Sequence, residues 1–225
     1  MGGFDIAFGV AALGLATGAV TERFGIGVGQ LAGALGFGIG FVFVVVGRSE
    51  LFTENFLIPI TGLDRDRGSW LKLGELWLAT LVLNLAGGVV IALLLTSHGV
   101  LREGSAKALV RVADHLAAYD PATAFLSAVA AGALMTLMTW FVEGAADSPG
   151  VRIVMSWLVG ALIALGSFNH AIVSTIEVVF GMRYGADIGT DQLFANLGLS
   201  VAGNLGGGLL LVTFARSAQA FGASR

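Results

Sequence analysis

The sequence predicts an all-α integral membrane protein: six transmembrane helices in two inverted three-helix repeats, with a broken helix in each. Three observations carry this. Of 225 residues, 56% are apolar and only 12% charged, against about 25% charged in an average soluble domain, and the mean hydropathy is +0.88. The apolar residues gather in stretches of transmembrane length. Two polar interruptions of those stretches recur about 120 residues apart.

A hydrocarbon core about 30 Å thick needs roughly 20 apolar residues per helix. Stretches 4–20, 29–47, 73–96, 124–142, 151–167 and 193–215 are read as spans, each apolar all round, as lipid-embedded helices are. Gly36, Gly38 and Gly40 in the second, and Gly203, Gly206, Gly207 and Gly208 in the sixth, let helix backbones approach closely. Gly25-Ile26-Gly27-Val28-Gly29 lacks a following Lys-Ser/Thr, so it is read as a loop between spans and not a phosphate loop. Two further apolar stretches, 55–61 and 171–181, are too short to cross. The first follows Arg48-Ser49-Glu50-Leu51-Phe52-Thr53-Glu54, the second Ser167-Phe168-Asn169-His170. Irregular backbone at membrane depth must be buried in protein or line a cavity. Spans two and five are therefore predicted to be broken helices, each a long arm, a polar break and a half-helix.

Asn84-Leu85-Ala86-Gly87-Gly88 echoes Asn204-Leu205-Gly206-Gly207-Gly208 at an offset of 120, close to the offset of the two breaks. One transmembrane domain is predicted over 1–225, with repeats at about 1–97 and 121–217 joined by a polar segment at about 98–120. An odd number of spans per repeat inverts the second relative to the first. Interrupted helices at matching positions of inverted repeats point to a midplane transport site. In the connection, Ala106, Leu109, Val110, Val112, Ala113 and Leu116 predict the apolar face of a surface helix. Lys and Arg divide almost evenly between the two sides and do not orient the chain. The first apolar run has no basic segment before it, so no cleavable signal peptide is expected.

Other function classes are disfavoured. The chain has no cysteine, hence no thiolate nucleophile and no Cys-ligated metal. It has no His-Glu-x-x-His and no Gly-x-Ser-x-Gly, and its net charge of −3 argues against a nucleic-acid partner. The expectation is no enzyme, no cofactor and no metal.

Ionisable residues within a membrane are costly and are functional candidates by default. At the first break stand Arg48, Glu50 and Glu54, for which an ion pair fixing the loop is expected. At the second stands His170, either at a pathway or satisfied by a nearby hydroxyl. Half-helices beginning near Asn55 and Ala171 would point their free N–H groups and positive dipole ends at the midplane. His170, Ser174 and Glu177 follow at helical spacing and can line one strip of a pathway; the alternative for Glu177 is a membrane interface or subunit contact.

Gly47 to Asn55 resembles the Glu-Leu-Phe-Thr-x-Asn loop of the formate/nitrite transporter family. Phe168-Asn169-His170 is similar to that family's Phe-Glu-His signature, and Asn204-Leu205-Gly206-Gly207 to its last-span Gly-Asn-x-x-Gly-Gly pattern. The resemblance covers nearly the whole chain. It implies an aquaporin-like fold, a homopentamer with a pore in each protomer, termini in the cytoplasm, and passage of small monovalent anions. It also implies apolar constrictions around the histidine that include Leu51 or Phe52, with Thr53 facing His170. Arg152 stands where the family has a basic residue.

The departures concern charge. Asn169 replaces the family's glutamate, and Ala171-Ile172-Val173-Ser174 its Ser-x-Ala-Asn. Asp120 stands where a vestibule lysine is usual, and Thr136 where an asparagine is. Glu54 and Glu177 are acids at positions usually uncharged. The reading is thus a divergent branch: a channel or transporter in the cell (inner) membrane for a small monovalent anion or its neutral acid, with pH dependence through His170. Its pore or substrate residues are Leu51, Phe52, Thr53, Asn84, Thr136, Phe168, Asn169, His170, Ser174, Glu177 and Asn204, with Asp120 and Arg152 at vestibules. The alternatives are a channel for a cation or a small uncharged polar solute on the same scaffold, and a membrane scaffold that transports nothing.

Overall fold

In the computed structural model, which describes residues 1–56, 67–213 and 215, the first helix turns into the second at a single residue. Helix α1 (Gly2–Phe24) and helix α2 (Ile26–Gly47) are separated by Gly25 alone, at φ +84°. No side chain is tolerated there without strain. The glycine-rich loop expected over 25–29 is therefore one residue, and Gly27 and Gly29 are helical. A 3₁₀ turn follows at Phe52–Phe56. Of the half-helix expected over 55–61, only Asn55 and Phe56 lie within the described residues.

The chain continues with α3 (Arg67–Leu95), α4 (Glu103–Ala117), α5 (Pro121–Gly144), α6 (Pro149–Leu165), α7 (Ala171–Arg183) and α8 (Thr190–Leu205). Helix α8 runs on into a wider π-helical segment, Gly206–Thr213. Among the described residues there is no strand. Five helices are long and apolar enough to cross a membrane: α1, α2, α3, α5, and α8 with its extension. The protein is a multi-pass membrane protein. The fifth expected span is α6, of 17 residues, about 26 Å at 1.5 Å per residue. That is shorter than a hydrocarbon core, and α7 continues it beyond the break at 166–170.

Helix α4 is the amphipathic helix of the polar connection. It buries Ala108, Leu109, Ala113 and Leu116 and packs against α1 and α7. Its outer face carries the Lys107–Glu103 ion pair at 2.7 Å. Lys107 holds the Glu103 carboxyl below its usual range, but so exposed a pair adds little stability.

The remaining packing depends on backbone proximity. Gly9 of α1 meets Phe37 and Gly40 of α2, and Gly38 and Gly160 bring α2 against α6. Gly132, Gly203 and Gly207 seat α5 on α8. Phe37, Phe41, Phe52, Phe56, Ile163 and Ile172 fill the centre with no exposed surface to speak of. The outside is apolar too: Leu31, Leu35, Ile39 and Phe43 of α2 and Leu78 and Val82 of α3 are exposed. A surface of that kind belongs in lipid or against another subunit.

These contacts make a direct prediction. A Cβ at Gly207 would meet the Val129 carbonyl, so Gly207→Ala is expected to destabilise by about 1–3 kcal/mol. The readout is a lower unfolding temperature of the detergent-solubilised protein. At Gly206 a Cβ meets nothing within 4 Å, and Gly206→Ala should stay within about 0.5 kcal/mol of wild type.

Candidate functional site

The two breaks are built alike. Helix α2 ends on Arg48 at φ 53°, and the turn after α6 contains Ser167 at φ 47°, both left-handed and neither glycine. Ser49 N–H donates back to Val44 O at 2.9 Å, and Phe168 N–H to Ile163 O at 3.0 Å. This reach back over the helix end is the Schellman arrangement. A non-glycine residue in this conformation costs about 1–2 kcal/mol, so something else must hold the chain there.

That is the work of two asparagines. Asn84 Oδ1 accepts from Phe52 N–H at 3.0 Å, and its Nδ2 donates to Glu50 O at 3.0 Å. Asn204 Oδ1 accepts from Ala171 N–H at 2.9 Å, and its Nδ2 donates to Asn169 O at 3.1 Å and Ala128 O at 2.8 Å. Each side chain satisfies a donor and an acceptor two residues apart in its break. Both were expected at the pore; the structure shows their amides clamping backbone, Asn84 with two bonds and Asn204 with three.

The clamped breaks meet at one point. Thr53 Oγ1 lies 2.7 Å from His170 Nε2, and both residues are wholly buried. His170 caps α7, its Nδ1 accepting from Val173 N–H at 3.2 Å. A ring nitrogen that accepts carries no proton, so Nε2 holds it and donates to Thr53. The Phe41 ring stands edge-on to the imidazole, centroids 6.3 Å apart. Leu51 and Phe52 are buried beside the pair. The half-helix was expected to aim free N–H groups at a solute. The N–H groups of Ala171 and Val173 are instead taken by Asn204 and His170, so α7 contributes its dipole field and not these donors.

Two cavities open at opposite ends of α2 and α6. One, of about 530 Å³, is bordered by Val44 and Arg152, with Arg48, Glu50, Glu54 and Glu143. The other, of about 650 Å³, is bordered by Ala34 and Ala164, with Gln30, Arg111, Asp114 and His115. On α2, Phe41 lies between these two sets, which puts His170 between the cavities. A smaller cavity of about 30 Å³, lined by Phe168 and Glu177, shares Leu13, Val112, Ala164 and Ser167 with the second.

Other expected residues fall elsewhere. Arg48 makes no ion pair with Glu50 or Glu54 among the described residues; both Arg48 and Glu50 are exposed, and Glu50 accepts from Asn55 Nδ2 at 3.2 Å. Asp120 caps α5, accepting from Ala122 N–H, Thr123 N–H and the Thr123 hydroxyl at 2.6 Å. That hydroxyl holds its carboxyl below the usual range. Thr136 donates to Gly132 O within its own helix at 3.0 Å and packs beside Gly208. Asn169 is enclosed by polar partners: it donates to Ala124 O and Asn196 Oδ1 and accepts from Asn196 Nδ2 and Ser200 Oγ. With no exposed surface, it positions the break. Ser174 is buried with an unbonded hydroxyl. Glu177 is 5% exposed, inside the chain and not at its outer surface.

The reading from sequence missed Asn196, Ser200, Phe41, Glu143 and the charged residues of α4. One signal was available: Asn196, Ser200 and Asn204 recur every four residues, a polar stripe on one face of an apolar helix.

The family model described as Formate/nitrite transporter matches residues 1–218. The chain is 27% identical over 189 residues to the inner membrane protein YfdC of Escherichia coli (strain K12), covering 82% of this chain and 59% of that one. It thus spans less than two thirds of that relative's length. It is 26% identical over 230 aligned residues to a probable formate transporter of Methanothermobacter thermautotrophicus, covering 94% of this chain and 83% of that one. Among solved structures it resembles a pentameric formate channel with formate bound, with a TM-score of 0.78 at 20% identity, covering 98% of this chain and 96% of that one.

The clamp geometry makes its own prediction. Replacing Asn204 by leucine strands buried polar groups at about 1–3 kcal/mol each. Asn204→Leu should therefore lower the unfolding temperature more than Asn84→Leu, since Asn204 makes three such bonds and Asn84 two. Both variants should admit protease at the break they release, Asn84→Leu near 48–56 and Asn204→Leu near 166–171, as mapped by limited proteolysis.

Proposed function

The chain belongs to the formate/nitrite transporter family, and from that premise we propose that it is a pore for a small monovalent anion that crosses the centre as its neutral acid. The family is one of transporters, not enzymes. The observation that carries the proposal is the Thr53–His170 hydrogen bond. It joins the two breaks, is closed off by apolar side chains, and lies between two cavities that hold charged residues.

Physical reasoning supports the neutral form. Moving a bare carboxylate into an apolar passage costs far more than a protein recovers without a paired charge, and the Thr53–His170 pair is a neutral donor–acceptor unit. Arg48 and Arg152 on one side and Arg111 on the other attract the anion to each mouth. The Thr53 hydroxyl and the imidazole then offer the only polar surface of the constriction among the described residues, and the α7 dipole favours the approach. A proton acquired there neutralises the solute, which sheds it on the far side. We further propose that the halves at about 1–97 and 121–217 form an inverted repeat, supported by the matched helix ends and asparagine clamps. A homopentamer in the inner membrane completes the proposal, supported by the exposed apolar faces and by what the relatives' names say of those proteins.

One observation favours a second reading, the passage of a cation or an uncharged solute. Glu50, Glu54 and Glu143 border one mouth, and carboxylates there repel an anion. Under the anion reading Glu54→Gln leaves flux unchanged or raises it; under the second reading it lowers flux.

The test is uptake of formate, nitrite, acetate and hydrosulfide into proteoliposomes. Uptake should rise as pH falls from about 8 to about 5, and His170→Asn should lower it by at least about tenfold and flatten its pH dependence. Absence of flux for all four solutes throughout that range overturns the anion reading.

A further inference from the structure

Glu177 is a carboxyl group inside a membrane helix with no hydrogen bond and no ion pair among the described residues. It lies two turns along α7 from His170, with Ser174 between them at i+4, so all three share one face. By helical rise, Ser174 is about 6 Å and Glu177 about 10 Å from His170 along the axis. Ser174 has no exposed surface, and its hydroxyl has no partner. The other hydroxyl of this helix, on Thr175, is bonded to Ala171 O at 2.7 Å. A buried unbonded hydroxyl costs about 1–3 kcal/mol, and packing gives no reason for it here.

The surroundings of Glu177 are equally specific. Its cavity, about 30 Å³, has room for about one water. The walls from α1, α4 and α6 are Leu13, Val112, Leu116 and Ile163, none of them charged. Tyr119, in the connection between α4 and α5, is a titratable group close enough to act on the carboxyl, and its hydroxyl donates to Ser167 O at 3.0 Å. Ser167 also lines the larger cavity, where Arg111, Asp114 and His115 stand. Glu177 thus faces a cavity that shares walls with the larger one on one side, and Ser174 and the central pair on the other.

We propose that Glu177 and Ser174 form a proton relay along α7 that supplies His170 from the cavity beside Phe168. This rests on the anion reading above and names the source of its proton. Glu177 takes a proton from cavity water and passes it to Ser174 Oγ. Ser174 releases its own hydroxyl proton to His170 Nδ1, whose bond from Val173 N–H opens. The imidazole gives its Nε2 proton to Thr53 Oγ1, and the Thr53 hydroxyl proton goes to an oxygen of the solute. Each relay residue gains one proton and loses one, His170 gaining at Nδ1 and losing at Nε2. The net change is a protonated solute, one proton fewer in the cavity water, and His170 moved from its Nε2–H to its Nδ1–H form. Water that follows the solute as it leaves exchanges the ring protons and restores the Nε2–H form between turnovers.

The test uses the full chain in liposomes with a trapped pH dye and formate as probe. Wild-type uptake is measured first, and its absence counts against the anion reading alone. Given wild-type uptake, Glu177→Gln should lower it by at least about tenfold near pH 8 and much less near pH 5, where bulk protons reach the pair directly. Glu177→Asp should restore part of the loss. Ser174→Ala, which removes only an unbonded hydroxyl, should act in the same direction and stands in if Glu177→Gln fails to assemble. An unaltered pH profile in both variants, or loss by one constant factor at every pH, overturns the relay. So does higher uptake by Glu177→Gln throughout, which makes the carboxylate a mere barrier. As a readout without transport, the acid-minus-alkaline infrared difference spectrum of the solubilised protein should show a protonated-carboxyl band that Glu177→Gln loses; an identical spectrum in the variant contradicts the proposal.

Discussion

Backbone polar groups cannot be left unpaired at membrane depth, and everything else in this structure follows from how that constraint is met. A helix broken inside a bilayer exposes N–H and C=O groups that have no water to turn to. Here each break receives one asparagine amide from a neighbouring helix. Asn84 and Asn204 present an oxygen and a nitrogen to groups two residues apart on the broken chain. The amide is suited to this because it accepts and donates at once without charge. Asn204 adds a bond to Ala128 O in α5, tying three elements at one residue.

Once the breaks are fixed, the central pair has little freedom. Thr53 follows Phe52, whose N–H is clamped by Asn84, and His170 precedes Ala171, whose N–H is clamped by Asn204. The threonine and imidazole therefore meet because backbone bonds one residue away aim them. The imidazole is further fixed as the cap of α7, which selects its tautomer. The glycine contacts of α5 with α8 and of α1 with α3 carry out the same task at longer range. They bring the asparagine-bearing helices close enough for a short side chain to reach its break.

Much of this was legible in the sequence. Span number, the two breaks and the recurrence of Asn-Leu-x-Gly-Gly could be read from hydropathy and spacing, because a bilayer allows few architectures. The asparagines were visible as a matched pair, but their role was not. A polar residue in an apolar helix reads equally well as pore lining or as a backbone clamp, and only the reach of its amide decides. Asp120 illustrates the same ambiguity. Its position suggested a vestibule charge, whereas the Pro121 and Thr123 that follow make it a helix cap. The expected Arg48 ion pair is missing among the described residues for another reason: nearness in sequence does not bring charges together when the chain turns through a left-handed residue and the side chains stand exposed. Asn169 was taken for a pore residue because it precedes His170, yet successive residues in an extended segment point to opposite sides, and Asn169 points into the α5–α8 contact.

The clamped breaks hold His170 as a cap of α7 with its proton on Nε2, aimed at Thr53. The most direct measurement is the ¹⁵N spectrum of histidine-labelled protein in lipid bilayers, with the His170 ring assigned by comparison with His170→Asn. The expected result is a resting His170 whose Nε2 bears the proton and whose Nδ1 is a hydrogen-bonded acceptor, a pattern lost in Asn204→Leu. A resting ring protonated at Nδ1, or a pattern that Asn204→Leu leaves untouched, contradicts it.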